Sequence, residues 1–199
     1  MTTRATNESG RSIIEMLGVL AVIGVLSVGG LAGYSQAMAK YKVTKITDQV
    51  QMIVTNVRTL FSTQKNYASI ANMEEMFAMG VVGPSVCGEG NRTDYSKCSG
   101  TFGGKFELGA ALGDSKTGYY IFMDQIPQDA CVRLAMSDWG AQSSGFLGLG
   151  ITAENVMAMD ASSDNRTGLY TTAAKTFPLD LSAALSACAK TNAMTWTYR

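Results

Sequence analysis

Residues 13–33 read Ile13-Ile14-Glu15-Met16-Leu17-Gly18-Val19-Leu20-Ala21-Val22-Ile23-Gly24-Val25-Leu26-Ser27-Val28-Gly29-Gly30-Leu31-Ala32-Gly33, and this stretch decides how the chain folds. Only Glu15 and Ser27 are polar within it. As an α-helix the stretch spans roughly 30 Å, enough to cross the hydrocarbon core of a bilayer. An ionised carboxylate inside such a helix costs about 2.5 kcal/mol or more at mid-bilayer, and less near an interface. We therefore expect Glu15 to have a partner or a function.

The composition of the chain excludes several classes of protein. It has 199 residues, a formal net charge of zero and no histidine. The length fits one domain of modest size, and the balanced charge gives no electrostatic footprint for nucleic acid. Without histidine, the commonest general base and metal ligand are missing, and a Ser–His–Asp arrangement is impossible. We expect no enzymatic activity, no cofactor and no metal site.

The four cysteines are Cys87, Cys98, Cys131 and Cys188, and none of them forms a C-x-x-C pair. An even number of cysteines behind a hydrophobic N-terminal segment indicates two disulfides in an oxidising compartment. Three pairings are possible, and we prefer Cys87–Cys98 with Cys131–Cys188. The chain-entropy argument assigns about 3 kcal/mol to the short loop and about 4 kcal/mol to the long one. Buried free thiols are the alternative.

Three interpretations compete for the N-terminal segment. A secretory signal peptide has an apolar region of about 7–15 residues, which is shorter than this one and is usually free of charges such as Glu15. A plain signal anchor fits the length but leaves Glu15 unexplained. The third interpretation is a processed leader, with a short polar head over residues 1–10 followed by a membrane helix.

The third interpretation is supported by residues 10–24, Gly10-Arg11-Ser12-Ile13-Ile14-Glu15-Met16-Leu17-Gly18-Val19-Leu20-Ala21-Val22-Ile23-Gly24. They resemble the prepilin signature of type IV pilins and related pseudopilins. The resemblance implies that a dedicated peptidase cuts after Gly10, that Arg11 becomes the methylated first residue, and that Glu15 is the fifth. It also implies that Glu15 neutralises the N-terminal amine of a neighbouring subunit. The family usually has an apolar first mature residue, and Arg11 departs from that pattern.

The helical pattern continues past Gly33. Apolar residues recur every three or four positions as Val43, Ile46, Val50, Ile53, Val57 and Leu60. No proline interrupts this amphipathic segment, so the sequence predicts one helix from about Ser12 to about Gln64, roughly 80 Å long. Its second half is expected to pack against the globular part of the same chain.

The remainder of the sequence predicts short helices and an antiparallel sheet. Strand candidates are Lys105–Leu108, Gly118–Met123, Phe146–Thr152, Gly168–Thr172 and Met194–Tyr198. Helix candidates are Asn72–Gly80, with Asn72 as N-cap, and Asp129–Ser137 and Leu179–Ala189, with Pro127 and Pro178 at their entrances. This order of elements is typical of an α+β fold.

Within the pilin family, the second half of the chain resembles the type IVb branch. The stretch Ile126–Ala135, which carries Cys131, is similar to the helix that opens the disulfide-bounded region of that branch. Cys188–Tyr198 is similar to its second cysteine and closing strand. The resemblance implies a pilin fold, in which the long N-terminal helix packs on an antiparallel sheet stapled by disulfides. We divide the chain into a leader (1–10), a long helix (11–65, with 13–33 transmembrane) and a globular head (66–199).

The resemblance also implies a function. The chain would be a structural subunit of a type IVb pilus, held in the bacterial inner membrane as a precursor and processed by prepilin peptidase. Pilus assembly machinery would then polymerise it with copies of itself into an extracellular filament for adhesion, aggregation or mating contact. A secretion pseudopilin and a membrane-anchored binding module that never polymerises are the alternatives. The oxygen-rich stretch Asp160–Asn165 could supply calcium ligands, but it lacks the EF-hand spacing and is better explained as a solvated turn.

Overall fold

The computed structural model describes residues 9–71, 73–87, 98–111, 115–140, 145–153, 169–171 and 177–199. Contacts divide the chain into two compact units, Met1–Tyr41 and Lys42–Arg199. The first unit contains the apolar helical run, and the second contains the sheet, the short helices and both disulfides.

The long helix α1 spans Ser9–Phe61, close to the predicted bounds of about Ser12 to about Gln64. Within the first unit, the large apolar side chains of the run are exposed on every side of the helix. The helix is long and apolar enough to cross a membrane, with a mean hydropathy of 2.2 in its best window. This unit buries none of that apolar surface by itself.

The second half of α1 carries the predicted apolar stripe into the core of the head. Ile46, Val50, Ile53 and Val57 are fully buried. Val54 and Phe61, which widen the predicted stripe, are also buried, and only its last member departs from the prediction, because Leu60 is 37% exposed. The last two buried residues, Val57 and Phe61, are four positions apart, and residues three or four positions apart share one face of a helix.

A five-stranded antiparallel sheet forms the other layer of the head. Its strands are β1 (Phe106–Ala111), β2 (Gly118–Pro127), β3 (Phe146–Ala153), β4 (Leu169–Thr171) and β5 (Thr191–Tyr198), in the order β1-β2-β5-β3-β4. The predicted fold class, a long helix on an antiparallel sheet with two disulfides, is confirmed. The predicted strands all exist, but β1, β2 and β5 are longer than expected, and β1 begins at Phe106 and ends at Ala111 instead of Leu108.

The central strand β5 places the largest side chain of the core. Trp196 is opposite Ile121 of β2 and Leu149 of β3, and all three side chains are fully buried. Because side chains alternate along a strand, Trp196 and its neighbours Met194 and Tyr198 join the core cluster that contains the α1 stripe. Trp139, Trp196 and Tyr198 are all buried aromatics of the core.

The short helices are α2 (Met73–Ala78), α3 (Pro84–Cys87), α4 (Gln128–Ala135) and α5 (Leu181–Ala187), and a 3₁₀ turn spans Ala68–Ala71. The sequence did not predict the 3₁₀ turn or α3. Pro127 directly precedes α4 as expected. Pro178 is not at the entrance of α5, because Asp180 is the N-cap and accepts a hydrogen bond from the Ala183 amide. An aspartate side chain can satisfy that free amide, whereas proline cannot.

Candidate assembly site and disulfide framework

The two polar residues of the apolar run differ in how their side chains are satisfied. Ser27 Oγ donates a hydrogen bond to the Ile23 carbonyl at 2.7 Å, so its helix supplies the partner. Glu15 lies on the same helix with its side chain exposed, and no described residue bonds to it. A carboxylate in apolar surroundings needs a counter-charge. For Glu15, that counter-charge has to come from outside the described residues.

The surface around Glu15 is apolar and open. Ile14, Met16, Leu17 and Val19 are all exposed within one turn of it. The five glycines of the run, which are Gly18, Gly24, Gly29, Gly30 and Gly33, have no atom of a neighbouring element within 4 Å of the position that a Cβ would take. Small residues allow other helices to approach a helix backbone closely. The segment therefore presents an apolar surface around one unpaired acid.

The processing residues predicted from the sequence lie on the same helix. Gly10 and Arg11 are within the first turn of α1, as helical backbone. Arg11 and Glu15 are four residues apart, a spacing that puts two side chains on one helix face. Cleavage after Gly10 and methylation of Arg11 stay predictions from the sequence.

The disulfide Cys131–Cys188 joins two helices that are distant in sequence. It closes a loop of 57 residues between α4 and the end of α5, with an S–S bond of 2.01 Å. Gln128 Nε2 donates to the Cys188 carbonyl at 2.9 Å, and the Leu179 amide donates to the Ala135 carbonyl at 3.2 Å. The two helices are therefore tied covalently and by hydrogen bonds at both ends.

The second disulfide, Cys87–Cys98, closes a loop of 11 residues after α3. The Ser99 amide donates to the Val86 carbonyl at 3.1 Å, beside the disulfide. Both disulfides have the pairing that we preferred from the sequence, and the described residues include no free cysteine. The two disulfides therefore cross-link the head at two separate places.

A series of hydrogen-bonded polar side chains connects β1 to β2 at one edge of the sheet. Tyr120 of β2 donates its hydroxyl to Glu107 Oε1 at 2.6 Å, and Lys105 Nζ lies 2.7 Å from Glu107 Oε2. Burial alone would raise the pKa of Glu107, but the hydrogen bonds from Lys105 and Tyr120 and the lysine charge hold that pKa below its ordinary value. Burial and the bond to Glu107 raise the pKa of Tyr120. No sequence pattern predicts this set of hydrogen bonds, because it depends on the pairing of β1 with β2.

Tyrosines also stack within the core. The ring of Tyr119 lies 5.0 Å from that of Tyr67 and 5.6 Å from that of Tyr198, centroid to centroid. Burial raises the pKa of both Tyr119 and Tyr198. These phenols are structural groups, because they pack within the core.

Several residues singled out in the sequence lie outside the described residues. They are the proposed N-cap Asn72 and the oxygen-rich turn Asp160–Asn165. Among the described residues, no group of three or more histidine, cysteine, aspartate or glutamate side chains could hold a metal ion.

Comparison with known proteins identifies the family. Residues 40–199 match the protein family described as PilS N terminal. The matched range includes both disulfides and the whole sheet. The chain belongs to the PilS family of type IVb pilins. Pilins are structural proteins, so the expectation that this chain is not an enzyme is confirmed.

Two relatives cover nearly the whole pilin. Each is described as the major structural subunit of bundle-forming pilus, one from Escherichia coli O111:H- and one from Escherichia coli O127:H6 (strain E2348/69 / EPEC). Both are 25% identical to this pilin over 186 residues, which is 93% of this chain and 90% of each relative.

A solved structure also shares the fold. It is the type IV b pilin from Salmonella typhi, which matches with a TM-score of 0.52 at 18% identity. The match covers 80% of this pilin and 99% of that chain. At this level of identity the likeness shows the fold alone.

Proposed function

We propose that this pilin is the major structural subunit of a type IVb pilus. Its apolar helix anchors the precursor in the bacterial inner membrane, and prepilin peptidase cuts after Gly10 and exposes Arg11 as a methylated N-terminus. Assembly machinery then polymerises the mature chain into a filament at the cell surface. The E. coli relatives, described as major structural subunits of bundle-forming pilus, support this role.

The observation that carries the proposal is the carboxylate of Glu15, which pairs with none of the described residues and lies on an exposed apolar helix. The positive N-terminal amine of a mature neighbour is the partner that polymerisation would supply. Opposite charges attract far more strongly in apolar surroundings than in water. A pair formed only at one axial offset between two helices would therefore fix the register of the filament.

The apolar surface of α1 explains why the chain polymerises when it leaves the bilayer. Exposing a large aliphatic side chain to water costs about 1.5–3 kcal/mol. Ile13, Leu17, Leu20 and Val25 are among a dozen such side chains that the chain does not bury within its own fold. Packing many copies of the helix side by side buries this surface without lipid, and the open glycine positions permit close approach.

The first mature residue adds a second positive charge to the proposed pair. Arg11 shares a helix face with Glu15 in its own chain, and the amine comes from the neighbouring chain. Because the amine alone can neutralise Glu15, the filament does not require Arg11. We therefore assign the assembly role to Glu15 and treat Arg11 as dispensable.

The test compares Glu15→Ala with Arg11→Ala in cells that carry the assembly machinery. Filaments are sheared from the surface and quantified against total pilin in the cell. Glu15→Ala should abolish filaments while the protein remains in the membrane, and Arg11→Ala should keep them near the wild-type amount. Equal loss of filaments in both variants would contradict the assigned roles, and full assembly by Glu15→Ala would overturn the proposed assembly mechanism.

The globular head would form the outer surface of the filament and determine adhesion, aggregation or mating contact. The relatives are subunits of bundle-forming pili. We extend that property to this pilin, so that its filaments associate side by side and aggregate the cells that carry them. A head cross-linked by two disulfides suits an exposed position outside the cell.

A further inference from the structure

A groove of about 650 Å³ lies between α4 and α5 on the head. Its lining is largely apolar and consists of the buried Val132 and the exposed Met136, Leu181 and Leu185. Met136 is 40% exposed, Leu181 is 55% exposed and Leu185 is 51% exposed. Among the large hydrophobic side chains described between Lys42 and Arg199, the two leucines are the most exposed. Clustered exposure of this kind is typical of an interaction surface.

The walls of the groove are fixed before anything binds. The disulfide Cys131–Cys188 joins α4 to the end of α5, and Gln128 bonds to the Cys188 carbonyl at 2.9 Å. A preformed site orders little on binding, so most of the contact energy is available for association. The groove is therefore suited to a rigid partner surface that carries its own apolar side chains.

The charges at the groove indicate which partner fits. Asp129 and Arg133 both line it, are exposed, and lie four residues apart on α4. In the described part of the chain, neither forms an ion pair with the other or with any third residue. One unpaired acid and one unpaired base make the groove neutral, which does not favour a phosphate-rich or lipid surface. They do match a second copy of the same groove, turned by a two-fold axis so that Asp129 meets Arg133 and Arg133 meets Asp129.

We propose that the α4–α5 groove is the contact that joins one pilus filament to another, through two copies of this groove related by a two-fold axis. The inference rests on the proposed function, because it requires filaments. Subunits within one polar filament repeat head to tail, so they cannot be related by a two-fold axis. A self-complementary groove can therefore pair between two filaments that lie side by side. Many copies along each filament multiply a weak single contact into firm association.

The first test uses charge reversal in the full-length chain and measures bundling of sheared filaments by low-speed sedimentation and electron microscopy. Asp129→Arg leaves two bases in each groove, and Arg133→Asp leaves two acids. Each variant alone should form filaments in normal amounts but lose most of its bundles. An equal mixture of the two filament populations should bundle again, because bases on one now meet acids on the other. The double variant Asp129→Arg/Arg133→Asp should bundle with itself.

The second test removes the apolar part of the groove. Leu181→Ser/Leu185→Ser should reduce the bundled fraction several-fold without reducing filament number. Met79→Ser is the matched control, since Met79 is 46% exposed in the turn directly after α2 and does not line the groove, and this variant should bundle like wild type.

The outcomes separate this inference from the proposed function. Filaments that bundle normally in both single charge variants would overturn the inference alone. Loss of bundling that the mixture does not restore would also overturn it, because the groove would then bind something other than a second copy. A wild-type chain that forms no filaments would overturn the proposed function and the inference together.

Discussion

The carboxylate of Asp124 lies directly against the Cα of Gly104, so that a Cβ at residue 104 would overlap its Oδ1 atom. Asp124 is buried and accepts a hydrogen bond from the Lys105 amide. The contact lies beside the register shift in β2, where Gln125 has a φ of 58°. The missing side chain at Gly104 therefore lets the turn before β1 close onto the bulge.

Gly104→Ala should destabilise the head, because the new methyl group can be accommodated only by moving a buried carboxylate and backbone. Overpacking of this kind costs about 1–3 kcal/mol. The measurement is chemical unfolding of the full chain in detergent, followed by the fluorescence of the buried Trp139 and Trp196. Gly100→Ala is the control, because a Cβ there has its nearest neighbour at 3.7 Å and should change the free energy of unfolding by no more than about 0.5 kcal/mol. Equal stability of the two variants would show that the contact is unimportant.

The two disulfides should differ in how much they stabilise the head. Cys131–Cys188 closes 57 residues and Cys87–Cys98 closes 11, so the longer loop restrains the unfolded chain more. We expect Cys131→Ala/Cys188→Ala to cost about 4 kcal/mol and Cys87→Ala/Cys98→Ala about 3 kcal/mol. The same unfolding assay in detergent measures both double variants. A larger loss from the short loop would contradict this order.

Stability should fall at alkaline pH because the fold keeps three phenols neutral. Burial raises the pKa of Tyr119, Tyr120 and Tyr198 above the ordinary value of 10.0. The unfolded chain therefore loses these protons first, so the stabilisation is complete below about pH 10 and declines as the pH rises above it. Unfolding measured from pH 8 to pH 11 should show this decline.

Tyr119→Phe removes one of the three groups and should make the alkaline decline shallower. Tyr41→Phe, at an exposed tyrosine, is its control and should keep the wild-type dependence on pH. A Tyr119→Phe chain that loses stability as steeply as wild type would show that this phenol does not contribute.

Local sequence patterns predicted the parts of the fold that local chemistry determines. The period of Ile46, Val50, Ile53 and Val57 predicted the buried face of α1, and alternating strands predicted the sheet. The extension of β2 through its bulge was not predictable. It depends on the contact between Gly104 and Asp124, two residues that are far apart in the sequence. The same holds for α3, whose last residue is fixed by a disulfide.

The candidate sites also differ in whether the local sequence is enough to predict them. Glu15 could be found from the sequence because a single acid interrupts a long apolar run. The α4–α5 groove could not, although Leu181 and Leu185 have helical spacing, because the sequence does not say that α4 leaves them uncovered. Asp129 and Arg133 have the spacing of an intrahelical ion pair, which the structure does not form. Such sites depend on which elements meet in the folded head.

The most direct test of the account is the intact mass of pilin extracted from sheared filaments, measured with and without reduction. The account predicts a chain that begins at Arg11, carries one added methyl group and gains four hydrogens on reduction of two disulfides. It also predicts that the precursor with residues 1–10 is confined to the membrane fraction. A chain in the filament that still begins at Met1 would contradict the account, because Glu15 would then have no amine at the position where assembly requires one.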